Sequence, residues 1–584
     1  MPINRMSFKV GGEAGQGVES SGAGFAKALA RGSLQIFAHQ EYMSRIRGGH
    51  NFFQIRVGDQ PLYAQADRIE LLLALTAEAI ARHWEEVVPG GGLIYDEGLK
   101  LPLEEGELKE RGVQLLTLPL AKIALEEGGS RVMLNTAALG AAAGITGFPV
   151  EHLESVIEDN FKVKGAPVVE ANLAVVRAAW EYAAQRYAAD FPYKLQAVEA
   201  PPRMVIHGNA AFCLGAVASG CKFISAYPMT PATSILEWFA AHAHQYGLIA
   251  QQTEDEIAAI TMALGANHMG LRAMCATSGG GFSLMVETLG LAGMTETPIV
   301  IVEAQRPGPS TGLPTKTEQD DLEFVLHASQ GEFPRIILTP GTVEQAFEAG
   351  SRAFNLAERY QCPVIVLSDH FLATSLRTIA PEEFDLNRVE IDRGELLSAE
   401  ELDKVQNYRR YRLTETGISP RALPGHPQAV YVAPGNEHDE EGRITEDPGL
   451  RRGMMEKRMR KLERAKHDLP EPELYGPEEA ELTFVAWGST YGPLREAVDS
   501  LNENGAKANM VHFSTIWPLP PDAAEPLLSR ARRLIAVEGN YSGQLARLIR
   551  RELGIRVGGL IRRYDGLPLS PGYILTKLEG VKDA

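Results

Sequence analysis

The sequence is poor in thiols, in tryptophan and in positive charge. Four cysteines occur in 584 residues, Cys213, Cys221, Cys275 and Cys362, and no two form a C-x-x-C pair. Each lies among apolar or small residues, which suits buried free thiols. The set therefore excludes a four-thiolate iron–sulfur centre held by this chain alone. Lysine and arginine number 57 against 75 aspartates and glutamates, a formal net charge of −18. Such a balance excludes nucleic acid as the default partner. No run of about 18 apolar residues offers a membrane span, and the opening MPINRMSFKVGG lacks a secretory signal's apolar core. The expectation is a cytoplasmic protein that neither crosses a membrane nor holds a metal by itself.

Glycine (57), proline (35) and a 45% hydrophobic content are what the chain has in quantity. They fit buried strands joined by tight turns, and the length allows about three or four domains at ~100–200 residues each. Residues 1–195 open with a strand, the glycine-rich turn GGEAGQG and a helix, then alternate as an α/β unit. Residues 203–380 alternate more regularly. Strands such as KFISAY, LRAMCAT and PIVIVEAQ are short and nearly all apolar, as a doubly wound parallel sheet requires. Residues 381–475 form a charged Pro/Gly-rich extension ending in a basic helix, RRGMMEKRMRKLERAK. Helical spacing turns Met455, Met459 and Leu462 inward there and leaves the charges in water. Residues 476–584 return to a smaller α/β pattern. The fold class is thus α/β, with three α/β domains.

Four turns carry candidate chemistry. In YPMTPATS, Pro231 is expected to start a helix that Pro228 helps to aim. The Thr230 hydroxyl and nearby N–H groups would then sit at a helix N-terminus, which favours an anion; an ordinary βα turn is the other reading. In AQQTEDEIAAI, Glu254 is the first acid after a strand. It either caps the next helix or serves as a buried carboxylate toward a heteroaromatic nitrogen. In TSGGGFSLM, Ser278 precedes Gly279, Gly280 and Gly281, which permit unusual backbone and close approach of a ligand. The loop AQRPGPSTGLPTKTEQDDL presents two cations, Arg306 and Lys316. All four turns follow strands, where open α/β sheets bind ligands. The first turn, with Gly15, Gln16 and Gly17, is spaced G-x-x-G-x-G. That departs from the dinucleotide pattern but suits a phosphate.

YPMTP, QTEDEIAAI, TSGGGFSLM and GPSTGLPTKTEQDDL, in this order, resemble the alpha subunit of the 2-oxoacid:ferredoxin oxidoreductases. GEAGQGVESSG with EYMSRIRGGHNFFQIRV is similar to the family's gamma domain fused in front, and AWGST with VEGNYSGQLARL follows the family too, so the likeness spans nearly the whole chain. The resemblance is nearest to the 2-oxoglutarate enzymes. It implies a gamma-type domain near coenzyme A, a pyrimidine-binding thiamine diphosphate domain and a transketolase C-terminal-like domain. Glu254 would meet the cofactor's N1′, with Tyr227, Pro228, Thr230 and residues 278–281 around the ring. Thr230, Arg306 and Lys316 would meet substrate, and Gly15, Gln16, Gly17, Arg45 and Arg47 coenzyme A. The resemblance further implies CoA-dependent oxidative decarboxylation with electrons passed to ferredoxin. The GDG sequence that holds the diphosphate through Mg²⁺ is missing, as is any cysteine cluster. A beta subunit is therefore expected to supply the diphosphate site, Mg²⁺ and a 4Fe–4S cluster, in an (alpha-beta)2 assembly. Another 2-oxoacid preference, or a non-redox thiamine-dependent transferase, remains as an alternative.

Overall fold

A computed structural model of the chain describes residues 3–44, 48–201 and 203–581. Contacts divide the chain into two compact units, the first comprising Met1–Ile206, Thr374–Glu383 and Ser570–Gly572, the second the remainder. The first unit is built on a mixed eight-stranded sheet. Its strand Met6–Glu13 runs parallel to Ile69–Ala74 on one side and antiparallel to His50–Gly58 on the other. The alternation MSFKVGGE places Met6, Phe8 and Val10 on one face, against Phe25, Leu29 and Phe148.

The second unit contains two sheets. The larger has seven strands, in the order Thr515–Trp517, Ile336–Leu338, Pro363–Asp369, Ile299–Gln305, Ala273–Thr277, Phe223–Ala226, Ile249–Gln252. All neighbours are parallel except the first pair. The central IVIVEAQ and PVIVLSD strands are buried at every residue, as helices on both faces require. Helices Gly208–Ala218 and Val343–Tyr360 meet backbone to backbone, for a Cβ on Gly215 would lie 2.0 Å from the Phe347 carbonyl oxygen. The smaller sheet orders Glu473–Tyr475, Ala508–Phe513, Leu482–Trp487, Leu534–Glu538 and Gly559–Arg562, parallel after the first pair. The α/β class expected from the sequence is what the chain adopts.

The basic helix corrects its expectation. Over Pro448–Ala465 it is Met454, Lys457, Arg458, Lys461, Leu462 and Ala465 that are buried, while Met455 and Met459 are only partly covered. Spacing alone could not foresee the counter-charges. Lys457 Nζ donates to Glu296 Oε1 at 2.5 Å, Lys461 donates to the other oxygen of Glu296, and Arg458 grips Glu437 at 2.7 and 3.1 Å. Burial pushes the Lys457 ammonium down to about 7 while Glu296 holds the proton on it. Against its own burial, the two lysines keep the Glu296 carboxyl well below the ordinary range.

Replacing Glu296 with alanine strands two buried lysines without an acid. Thermal unfolding of Glu296→Ala is expected to show a loss of ~3–5 kcal/mol. A loss under about 1 kcal/mol, the size of a surface pair, would show that the cluster is solvated.

Candidate functional site

The strands Phe223–Ala226, Ile249–Gln252, Ala273–Thr277 and Ile299–Gln305 are neighbours and run the same way. Their carboxyl ends therefore deliver residues 227–231, Thr253 and Glu254, residues 278–281 and Arg306 to one edge of the sheet. Arg306 Nη1 donates to the Thr230 carbonyl oxygen at 2.9 Å, and Thr277 Oγ1 lies 3.9 Å from Met229 Sδ. Partial burial lowers the Arg306 pKa, though a guanidinium keeps its charge at neutral pH. Tyr227 is exposed, and Pro228 and Thr230 are half-buried.

Pro231 does not open the following helix, which spans Thr233–Tyr246. The turn is held instead from outside the helix: buried Asn209 donates to the Pro231 carbonyl oxygen at 3.0 Å and to Ser234 Oγ at 2.9 Å. One residue, Ala232, stands between Pro231 and the helix as its N-cap.

Three consecutive acids divide their roles. Asp255 is the N-cap of helix Glu256–His268, accepting from Ala258 N at 2.7 Å. Glu254 is thereby released from capping and is exposed at the strand end. Glu256, which spacing alone marks as ordinary first-turn charge, is buried, and its Oε1 meets no hydrogen-bond donor. Burial raises its pKa, and the neighbouring charge of Asp255 adds to the rise.

Residues 279–281 form the first turn of helix Gly279–Met294 with ordinary helical backbone, so their value lies in the missing Cβ and not in unusual dihedral angles. A Cβ on Gly281 would fall 2.1 Å from Thr277 Oγ1 and 2.4 Å from Glu256 Oε1; one on Gly279 would fall 2.3 Å from an Asp321 oxygen. At Gly280 the nearest atom, the Ser310 carbonyl oxygen, is 3.8 Å away, so that position is open. Ser278 precedes them fully buried, and its hydroxyl has no partner.

Against this turn lie buried Glu303 and the half-buried Asp320 and Asp321. Neither oxygen of Glu303 meets a donor, and its neighbour Asp321 is a carboxyl too. Burial pushes Glu303 well above the carboxylate range, and burial with the charge of Asp320 pushes Asp321 up to about 7. A shared proton gives the two carboxyls the hydrogen bond that neither has when both are ionised.

Lys316 is half-buried farther along the loop and packs on Gly566, where an added Cβ would lie 3.1 Å from Lys316 Cβ. Sequence reasoning missed Glu256, Asp321 and the residues that grip this loop, Gln319, Asn540 and Gln544; their types and spacing carry no motif. Among the described residues, no group of three or more His, Cys, Asp or Glu could hold a metal ion. Nor is any of their helices long and apolar enough to cross a membrane.

In the first unit, Gly15 and Gly17 have φ of 93° and 74°, left-handed backbone that favours glycine. Gln16 turns back on this loop, its Oε1 accepting from Glu13 N at 2.8 Å. His50 is buried against His83, Nε2 to Nε2 at 2.7 Å. Arg45 and Arg47 lie outside the described residues.

Three family profiles match the chain: "Pyruvate flavodoxin/ferredoxin oxidoreductase, thiamine diP-bdg" over residues 214–457, "Pyruvate ferredoxin/flavodoxin oxidoreductase" over 7–182, and "Pyruvate:ferredoxin oxidoreductase core domain II" over 480–571. Subunit alpha of 2-oxoacid:ferredoxin oxidoreductase 2 from Aeropyrum pernix is 34% identical, covering 97% of this chain and 96% of that protein. The 2-oxoglutarate oxidoreductase subunit KorA of Mycobacterium tuberculosis is 32% identical over 94% of this chain and 87% of its own length. The solved structure of 2-oxoglutarate:ferredoxin oxidoreductase from Magnetococcus marinus, with 2-oxoglutarate, coenzyme A and succinyl-CoA bound, superposes with a TM-score of 0.91 at 35% identity, covering 99% of each chain.

Two expectations test this geometry. Gly281→Ala overpacks a filled niche and should lose about 1–3 kcal/mol in denaturant unfolding, while Gly280→Ala should unfold like the wild type. Asp321 has its folded pKa raised, so the folded state binds more protons and stability falls as pH climbs from about 4 to about 7. Asp321→Asn should flatten that fall in thermal scans across the window; an unchanged slope would place the titration elsewhere.

Proposed function

The chain belongs to the 2-oxoacid:ferredoxin oxidoreductase family as an alpha subunit, and from that premise we propose that it serves a 2-oxoglutarate:ferredoxin oxidoreductase. The reaction is the reversible conversion of 2-oxoglutarate and coenzyme A to succinyl-CoA and CO2, with two electrons passed to ferredoxin. The observation that carries this reading is the gathering of Thr230, Glu254, residues 278–281 and Arg306 on one edge of four parallel strands.

That edge fits an aminopyrimidine. Glu254 is a carboxylate freed from capping, Ser278 has a buried hydroxyl without a partner, and Gly280 leaves open space. Thiamine diphosphate, when bound, supplies the acidic thiazolium carbon and electron sink that decarboxylation of a 2-oxoacid requires. Glu254 holds the proton at ring nitrogen N1′ through a charge-assisted hydrogen bond, strengthened once a covering surface excludes water. Tyr227, Pro228 and residues 278–281 flank the ring. Thr230 and Arg306 orient the carboxylate next to the 2-oxo group, and Lys316 meets the second carboxylate of 2-oxoglutarate.

In this reading residues 1–195 are the coenzyme A-proximal domain, with Gly15, Gln16, Gly17, Arg45 and Arg47 toward that ligand. Residues 203–380 bind the pyrimidine, 381–475 are an extension and 476–584 the third domain. A beta subunit holds the diphosphate, Mg²⁺ and a 4Fe–4S cluster in an (alpha-beta)2 assembly that reduces ferredoxin. The four buried free thiols suit a reducing cytoplasm. A broad 2-oxoacid range is the second reading, favoured by relatives named 2-oxoacid:ferredoxin oxidoreductase at 32–34% identity.

The test is the complex purified with its partner, assayed for ferredoxin reduction with CoA and a panel of 2-oxoacids. A kcat/KM for 2-oxoglutarate about tenfold or more above pyruvate and branched-chain acids supports the first reading. Equal values favour the second, and no ferredoxin reduction with any acid overturns both. Glu254→Gln in that complex should lower kcat on the order of 100-fold or more with assembly intact.

A further inference from the structure

The loop that carries Arg306 and Lys316 is gripped by the smaller sheet, at the carboxyl ends of three of its parallel strands. After Leu482–Trp487, the Trp487 carbonyl oxygen accepts from Gln319 Nε2 at 3.1 Å. After Leu534–Glu538, Gly539 N donates to Gln319 Oε1 at 3.1 Å, Gln319 N donates to the Gly539 carbonyl oxygen at 2.7 Å, and Asn540 Nδ2 donates to the Gln319 carbonyl oxygen at 3.1 Å. After Gly559–Arg562, the Gly566 carbonyl oxygen accepts from Thr317 N at 3.2 Å. Gln544 bridges next door, donating to the Asp320 carbonyl oxygen at 2.7 Å and accepting from Glu323 N at 2.9 Å.

The gripping residues are themselves fixed. Asn540 Oδ1 accepts from Gly543 N at 2.7 Å, and its Nδ2 also donates to Glu538 Oε2 at 2.9 Å. Glu538 is fully buried and accepts from Leu545 N at 2.8 Å and Ala546 N at 3.1 Å. Gln319 is 3% exposed and Asn540 1%. A junction needed only for stability could be apolar, whereas a fully bonded buried polar network selects one geometry. The stretch 308–313, by contrast, is exposed.

We infer that Gln319, Gln544 and Asn540 are positioning residues for substrate: the smaller sheet sets where the loop presents Lys316 to the second carboxylate of the 2-oxoacid, while Arg306 is held from the larger sheet by the Thr230 carbonyl oxygen. The inference rests on the functional reading above and adds the residues that fix its specificity loop.

The experiment uses the complex with its partner and two single variants from opposite sides of the grip, Gln319→Ala and Gln544→Ala. Amide hydrogen exchange over residues 307–321 should speed up on the order of tenfold, and KM for 2-oxoglutarate should rise on the order of tenfold. In both variants kcat should stay within about twofold, and thiamine diphosphate affinity measured by calorimetry should match the wild type. An unchanged KM in both variants overturns the inference, as does a fall in kcat and cofactor affinity at constant KM. If one variant does not assemble, the other decides; failure of both assigns the network to stability alone and overturns it as well. A wild-type complex that turns over no 2-oxoacid removes the functional reading, and this inference with it, before any variant is made.

Discussion

The candidate site depends on four neighbouring strands running in one direction. Parallel pairing forces each connection to cross back through a helix, so every strand delivers its carboxyl end to the same edge. Residues 227, 254, 278 and 306 thus become neighbours without any local attraction among them. The stability of that edge is borrowed from below, where strands such as Ile299–Gln305 are buried at every position. The edge itself breaks the usual rules: an exposed tyrosine, a buried serine hydroxyl without a partner, and a buried Glu303 whose oxygens meet no donor. Such local violations on a consistent scaffold mark the edge as the candidate site.

The 384–475 segment is held by a different force. It has little regular structure, and electrostatics does much of what a hydrophobic face does elsewhere. Glu358 receives Arg272 and Arg393 at 2.8 Å and Arg421 at 2.9 Å, while Glu296 receives Lys457 and Lys461. Removing each such ion from water costs several kcal/mol, offset only when the partner sits in the right place. These clusters therefore act more to specify one docking of the segment than to add net stability.

That distinction marks what could be read from the sequence. Strand–helix alternation, the all-apolar strands and the placing of four chemical turns at strand ends were legible, because each rests on local patterning and on one topological rule. The inward face of the basic helix was not. Lys457 and Lys461 point inward because Glu296, far away in sequence, waits there, and helical periodicity contains no long-range term. The glycines of 279–281 were legible as a turn of close approach, but unusual backbone was the wrong reason: the backbone is helical, and Asp321 at Gly279 and Thr277 with Glu256 at Gly281 leave no room for a Cβ. Among three consecutive acids, spacing could not say which one caps, which is buried and which stays exposed. Asp255 takes the cap because its short side chain reaches Ala258 N.

The smaller sheet completes this logic. A loop following a buried strand, exposed over 308–313 and punctuated by prolines, has many available paths, and a cation borne on it would be imprecisely placed. A backbone bond from Gln319 N to the Gly539 carbonyl oxygen, and a second from Gly539 N to the Gln319 side-chain oxygen, tie the distal end of the loop to the residue that follows the strand Leu534–Glu538. At the near end, Arg306 is tied to the Thr230 carbonyl oxygen. The two sheets of the second unit thus hold opposite ends of a single segment. The larger sheet holds Arg306 at its edge, and the smaller one sets how far Lys316 extends from it. Both sheets belong to one compact unit, and a shared loop fixed at both ends gives a physical reason for keeping them together.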